Sequence, residues 1–283
     1  MPPARLFTLT MLTMLAFAGN SLLCRAALRD TGIDAASFTT LRLVSGALVL
    51  WLLTLRSRGV RERGGNWGSA AALFVYAAAF SFAYVSLPAS TGALLLFGAV
   101  QATMIGYGLW TGERFRALQW FGFLVALGGL VVLVLPGLAA PPPWSAGLML
   151  GAGVAWGVYS LRGRGAGNPI RVTAGNFLRA APVAVVLSLV MMRRAQFDPA
   201  GVGYALASGA LTSALGYAIW YTALPALKAT TAATVQLSVP VVAALGGVLL
   251  LGEPVTIRLV VATVAILGGI GLVIRERRRS HGR

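Results

Sequence analysis

The sequence predicts an all-α integral membrane protein, with ten transmembrane helices in two five-helix halves of inverted topology. Three observations carry this. Of the 283 residues, 58% are apolar and only 11% charged, against about a quarter charged in soluble domains. The apolar residues gather into ten runs of the length a helix needs to cross a bilayer. The second half of the chain also repeats the first at a nearly constant spacing.

The runs lie near 5–24, 34–55, 67–86, 89–110, 116–135, 144–161, 170–192, 201–223, 228–251 and 255–274. Turn signals divide them: Leu87-Pro88, Thr111-Gly112-Glu113, the Pro-rich 136–143, Gly163 to Pro169, Asp198-Pro199 and Gly252-Glu253-Pro254. No linker is long enough to separate soluble domains. The first run, Leu6 to Leu23, lacks a small-residue cleavage pattern and is expected as a retained span. Glycine is abundant, at 35 residues, as close packing of membrane helices requires. The lone Cys24 excludes an internal disulfide and a cysteine metal site.

A net charge of +16 would suggest nucleic acid in a soluble protein. Here the basic residues stand between apolar runs and at the C-terminus, so they signal topology and no nucleic-acid partner is expected. Fifteen Lys and Arg fall on the side shared by both termini, and five on the other. That bias predicts a multi-pass protein of a bacterial inner membrane with both termini in the cytoplasm. Arg42, Arg179 and Lys228 lie within spans.

At an offset of 137, Arg25 pairs with Arg162, Arg42 with Arg179, Tyr84 with Tyr221, Leu87 with Leu224 and Pro88 with Pro225. Past the fourth span the offset is 140, matching Gly112-Glu113 to Gly252-Glu253 and Leu127-Gly128-Gly129 to Leu267-Gly268-Gly269. The halves are therefore 1–137 and 138–283. Five spans each is an odd number, so the second half enters the membrane from the opposite side. Halves so related can exchange conformations around a midplane site, which is alternating access.

This organisation resembles the EamA-type members of the drug/metabolite transporter superfamily over essentially the whole chain. The motifs are Gly19-Asn20 with Arg25, Phe38 to Arg42, and the close of span nine at Leu249-Leu250-Leu251-Gly252-Glu253. Within that family, Thr91 to Gln101 is similar to the fourth span of the YddG-type amino-acid exporters. The resemblance implies outward movement of amino acids or similar metabolites. It also implies a cavity between spans one, three, four, six, eight and nine.

The seven acids, Asp30, Asp34, Glu62, Glu113, Asp198, Glu253 and Glu276, all fall at span ends or in loops, and His281 sits in a polar tail. No cluster suits catalysis or a metal, so no catalytic residue, metal or cofactor is expected. An intramembrane carboxylate, the usual proton relay, is also missing, which favours facilitated diffusion or coupling at a span end. Glu113 and Glu253 could couple, but a structural role at a wet interface, with hydrogen bonds to nearby backbone, is the expectation.

The candidate substrate site is aromatic and amide. Tyr76, Phe80 and Tyr84 recur every four residues and share a helix face. Phe80 and Tyr84 correspond to Tyr217 and Tyr221, with Trp220 beside them; Trp156 and Tyr159 are three apart. Such stripes also serve as packing surface or interfacial belt. Asn20, Gln101 and Gln236 could bind a substrate ammonium or carboxylate, or a neighbouring helix. Arg42 and Arg179 sit about eight residues into their spans, roughly 12 Å deep. A structural or gating role, capping carbonyls, is favoured for both over a substrate carboxylate contact. Lys228 marks an interface. Pro240, in the middle of span nine, predicts a kink and a candidate hinge. The function expected is export of amino acids or similar small zwitterionic metabolites with broad selectivity. The alternative is a multidrug or organic-cation exporter using cation–π contacts. A passive pore or a membrane interaction partner would leave the paired polar positions tolerant of substitution. The partners are a small-molecule substrate and lipid; oligomeric state is left open, a monomer being compatible.

Overall fold

The computed structural model describes residues 2–56, 64–112, 114–137, 140–163, 168–223, 226–227 and 235–280, without the side chains of Arg56, Tyr221 and 275–280. Among the described residues the long helices are α1 Pro3–Asp30, α2 Ala35–Arg56, α3 Trp67–Tyr84, α4 Ala89–Trp110, α5 Ala117–Val134, α6 Pro143–Arg162 and α7 Pro169–Val190. Then come α8, continuous over 199–223, α9 Ser238–Leu251 and α10 Ile257–Ser280. Within α8, Ser208–Leu215 is π-helical, between α-helical Pro199–Ala207 and Gly216–Ala223. No strand occurs among the described residues. Among the described residues eight helical stretches are long and apolar enough to cross a membrane, and α9 is a shorter apolar helix. The protein is an all-α integral membrane protein.

Local chemistry starts the helices. Pro3, Pro143, Pro169 and Pro199 open α1, α6, α7 and α8, where a missing N–H is not needed. Asp34 accepts from the N–H groups of Ala36 and Ser37, both at 3.0 Å, Asn66 from Ser69 at 2.8 Å and Asp198 from Gly201 at 2.9 Å. These side chains satisfy orphan donors of the first turns. At the other end, Gly112 (φ 96°) and Gly252 (φ 62°) stop α4 and α9 in the left-handed region. That conformation accounts for the glycine in both Gly-Glu pairs.

Two boundaries differ from expectation. Helix α1 runs on to Asp30, so Arg25 and Arg29 belong to a helix rather than a loop. In span nine Val235 and Gln236 are helical, Leu237 is a turn, and α9 runs from Ser238. Pro240 falls in the first turn of α9, where its missing N–H breaks no bond. The helical run is thus interrupted three residues before the proline expected to kink it. Lys228, Glu113 and His281 lie outside the described residues.

Large apolar side chains cover the outside of the molecule, while a charged one is buried in its largely apolar interior. Arg42 is 2% exposed, while Ile257 is 85% exposed and Trp110 83%, an arrangement that only a lipid solvent rewards. Exposed Trp67, Trp110 and Trp144 stand at helix ends, where aromatic belts form.

The main helix pairs exchange when the first five helices are swapped for the last five. Helix α3 packs on α6 as α8 packs on α1; α4 packs on α6 as α9 packs on α1; α3 meets α7 as α8 meets α2. Three pairs map onto themselves: α2–α7, α4–α9 and α5–α10. Glycine sets the tightest seam. A Cβ on Gly122 would sit 2.5 Å from the Gly269 carbonyl, and one on Gly269 would sit 2.3 Å from that of Gly122. Gly129 faces Ala265 and Ile266, whereas Gly128 and Gly268 have nothing within 4 Å. The partner for Gly129 and Gly269 is thus another span of the same chain.

Candidate functional site

A narrow cavity lies between α1, α3, α4, α6 and α8. Its walls are Phe17, Asn20 and Ser21 of α1, Tyr76 and Phe80 of α3, Leu96 and Phe97 of α4, Trp156 of α6, and Thr212, Ser213 and Tyr217 of α8. Five of these, Asn20, Tyr76, Phe80, Trp156 and Tyr217, are residues the sequence singled out. Span nine, expected to contribute, supplies no lining residue among those described.

One end of the cavity is an aromatic box. Trp156 stacks on Tyr217 (5.2 Å, 21°) and Tyr159 (5.4 Å, 28°) and lies 4.8 Å from Tyr76. Phe80 stands between Tyr76 at 5.4 Å and Tyr84 at 4.7 Å, as residues four apart on a helix should. The stripe predicted in α3 is real, yet only two of its three members face the cavity.

Polar groups gather about the Tyr76 hydroxyl, at the edge of that box. The Asn20 amide nitrogen donates to the Tyr76 hydroxyl (3.2 Å), and its oxygen accepts from Ser208 (2.7 Å) and Thr212 (3.4 Å). Behind this wall lies Arg42. It donates to the Tyr76 hydroxyl (3.0 Å) and to Ser213 Oγ (3.3 Å). Its guanidinium also stands 5.2 Å and 5.0 Å from the ring centres of Tyr76 and Phe80. These contacts hold a charge at the centre of the protein that would otherwise be costly. The π-helical turn of α8 carries Ser208, Thr212 and Ser213. Such turns are frequent at functional sites. The corresponding stretch of α3, residues 71–78, lies in regular α-helix.

The remaining expected site residues lie elsewhere. Tyr84 is fully buried, donates to the Ala89 carbonyl (3.3 Å) and covers Gly92. It secures the α3–α4 turn and is neither cavity wall nor interfacial belt. Tyr159 backs Trp156 and accepts from Asn176 (3.4 Å). Trp220 packs edge-on behind Phe17 at 6.2 Å. Gln101 is buried in α4 and Gln236 half-buried before α9, both away from the lining. The Tyr221 side chain lies outside the described residues. Arg179 donates to the carbonyls of Gly64 (3.0 Å) and Gly175 (2.8 Å), the carbonyl-capping role expected of it. Its repeat mate Arg42 does different work.

Not expected from the sequence were the lining residues Phe17, Ser21, Leu96, Phe97, Thr212 and Ser213, and Ser208, which bonds Asn20. For Ser213 a signal existed, since it stands 137 residues after Tyr76. Glu253 is also repositioned. It is buried, not wet, and accepts from the N–H groups of Ala89 (2.6 Å) and Ser90 (3.3 Å) and from Ser90 Oγ (3.3 Å). Arg25 approaches it at 3.9 Å. The loop after α9 thereby caps α4, whose own cap position is Pro88 with no side-chain bond.

Helices gathered around a narrow cavity with polar and aromatic walls define a multi-pass membrane protein with the make-up of a transporter. Residues 143–275 match the EamA-like transporter family. The uncharacterized protein PA1977 of Pseudomonas aeruginosa is 62% identical over 255 residues, 90% of this chain and 89% of its own length. The threonine/homoserine exporter RhtA of Escherichia coli K12 is 33% identical over 112 residues, 38% of each chain. The uncharacterized inner membrane transporter YedA of the same organism is 29% identical over 149 residues, 50% of this chain and 48% of its own. One crystal structure superposes with a TM-score of 0.69 over 98% of this chain and 100% of its own, at 19% identity, which shows the fold alone. The chain belongs to the EamA-like transporter family, a family of membrane transporters rather than enzymes.

Proposed function

We propose that the protein is an alternating-access exporter of amino acids or similar small zwitterionic metabolites, acting across a bacterial inner membrane with both termini in the cytoplasm. The observation that carries this reading is the make-up of the cavity wall. It combines amide and hydroxyl groups, with a guanidinium behind them, and aromatic rings, suiting a polar head with an apolar or small side chain. The halves 1–137 and 138–283 act as the two inverted units, and their exchange of helix contacts moves access from one face to the other. The name of RhtA, a threonine/homoserine exporter, supports the substrate class. Tolerance of varied side chains follows from aromatic walls, which discriminate by size more than by hydrogen bonding.

Counterflow in proteoliposomes preloaded with mixed amino acids, with and without an imposed pH gradient, tests this. Saturable exchange that ignores the gradient is expected. No exchange of any amino acid, together with gradient-driven movement of an organic cation, would overturn it.

A further inference from the structure

We propose that the cavity seizes its ligand by a carboxylate, received by the hydroxyls of Tyr76 and Ser213 and charge-balanced by Arg42 behind them. This rests on the reading of the cavity as the substrate site and names the group that site recognises.

The argument begins with an unbalanced charge. Among the described residues the ion pairs are Arg25–Glu253 and Arg29–Asp30, so no carboxylate stands within 4 Å of Arg42. One of its nitrogens, Nη1, has no hydrogen-bond partner. A guanidinium 2% exposed and without a counter-ion is costly to bury, and an incoming anion relieves that cost.

The second step concerns protons. Arg42 has no acceptor capacity, so the Tyr76 and Ser213 oxygens receive its N–H groups. The Tyr76 oxygen receives a second N–H from Asn20. Each hydroxyl keeps its own proton, and neither finds an acceptor for it among the described residues. Both residues line the cavity. Donation from a cation polarises an O–H and makes it a better donor in turn. The cavity thus presents two strengthened donors backed by one positive charge, and a carboxylate has two oxygens to accept them. An organic cation would instead meet a like charge one side chain away.

Tyr76 and Ser213 are also repeat mates, 137 residues apart. Each half contributes one hydroxyl to the same guanidinium. The carboxylate receptor is complete only while the two halves are together, which ties ligand capture to their closure.

The test uses four compounds of one skeleton: leucine, isocaproate (no amine), isoamylamine (no carboxylate) and leucinamide (carboxylate blocked). Thermal stabilisation of the purified protein and competition for leucine counterflow are read together. Leucine and isocaproate should bind, and the amine and amide should not. Removing a hydroxyl that bonds a charged group, by Tyr76→Phe or Ser213→Ala, should weaken both binders by about tenfold or more. Equal binding of isoamylamine or leucinamide, or failure of both carboxylates to stabilise the wild type, would overturn the receptor. So would variants that fold and bind isocaproate unchanged. Isocaproate binding without counterflow of any amino acid would keep the receptor and sink the exporter reading.

Discussion

Replacing Glu253 by alanine should loosen the α4 end of the molecule by an amount that its contacts define. The carboxylate accepts one short bond from Ala89 N at 2.6 Å and two long ones from Ser90 at 3.3 Å. A hydrogen bond to a charged group contributes about 1.5–3 kcal/mol, and the long bonds add only a fraction of that. Arg25 adds less, because it stands 3.9 Å away and retains the carbonyls of Tyr84 (2.9 Å) and Val85 (3.0 Å) as acceptors. The net loss is about 2–4 kcal/mol, since the Ala89 and Ser90 donors are left buried without a partner. At about 2–4 °C per kcal/mol for a chain of this order, the melting temperature should fall by about 4–16 °C. Tryptophan fluorescence during heating of the detergent-solubilised protein reads it. Glu253→Gln keeps an acceptor for Ala89 N and should lose about half as much. An alanine variant melting with the wild type would refute the capping role.

Other outcomes follow from packing and titration. Gly209→Val would drive a Cβ to 2.0 Å from Ser45 Oγ and 2.2 Å from the Arg42 carbonyl, prising α8 from α2 at a cost of about 1–3 kcal/mol or more. Gly268→Ala, with nothing within 4 Å, should melt like the wild type. Asp34 is partly buried, which raises its pKa, but bonds from Ser37, Gln196 and Ala36 outweigh this and hold it below the usual carboxylate range. Its contribution is present above the unfolded value of about 4 and fades as pH falls through the lower folded value. Asp34→Asn should therefore flatten the acid limb of a melting-temperature profile taken from about pH 6 to about pH 3. A profile as steep as that of the wild type would count against the Asp34 clamp.

What the sequence disclosed depended on whether the information was local. Helix number, starts and the Gly-Glu stops were legible because proline, capping side chains and glycine act within a turn of the chain. The α3 stripe was legible because helical period is local too. Which members face the cavity was not, since that depends on the roll of α3 against α1 and α6: Tyr76 and Phe80 turn inward, while Tyr84 is drawn under its own turn by the Ala89 carbonyl. The π-helical turn in α8 escaped notice because no single residue of Ser208–Leu215 demands it. It is held by contacts to Asn20 and Arg42 from other helices. Burial of Glu253 was hidden for the same reason, because its partners lie more than 160 positions away.

The three self-paired seams, α2–α7, α4–α9 and α5–α10, have a bearing on how such a chain can vary. If the halves exchange roles as proposed above, a seam turns into itself, so a residue such as Gly122 or Gly269 would keep the same neighbours in both arrangements. Substitution there would change how well the protein holds together and leave the balance of the exchange untouched. On α3–α6 or α1–α8 each residue would have to suit two environments, and a change favouring one would shift the resting state. Robustness and switching bias would then be written on different surfaces of the same helices.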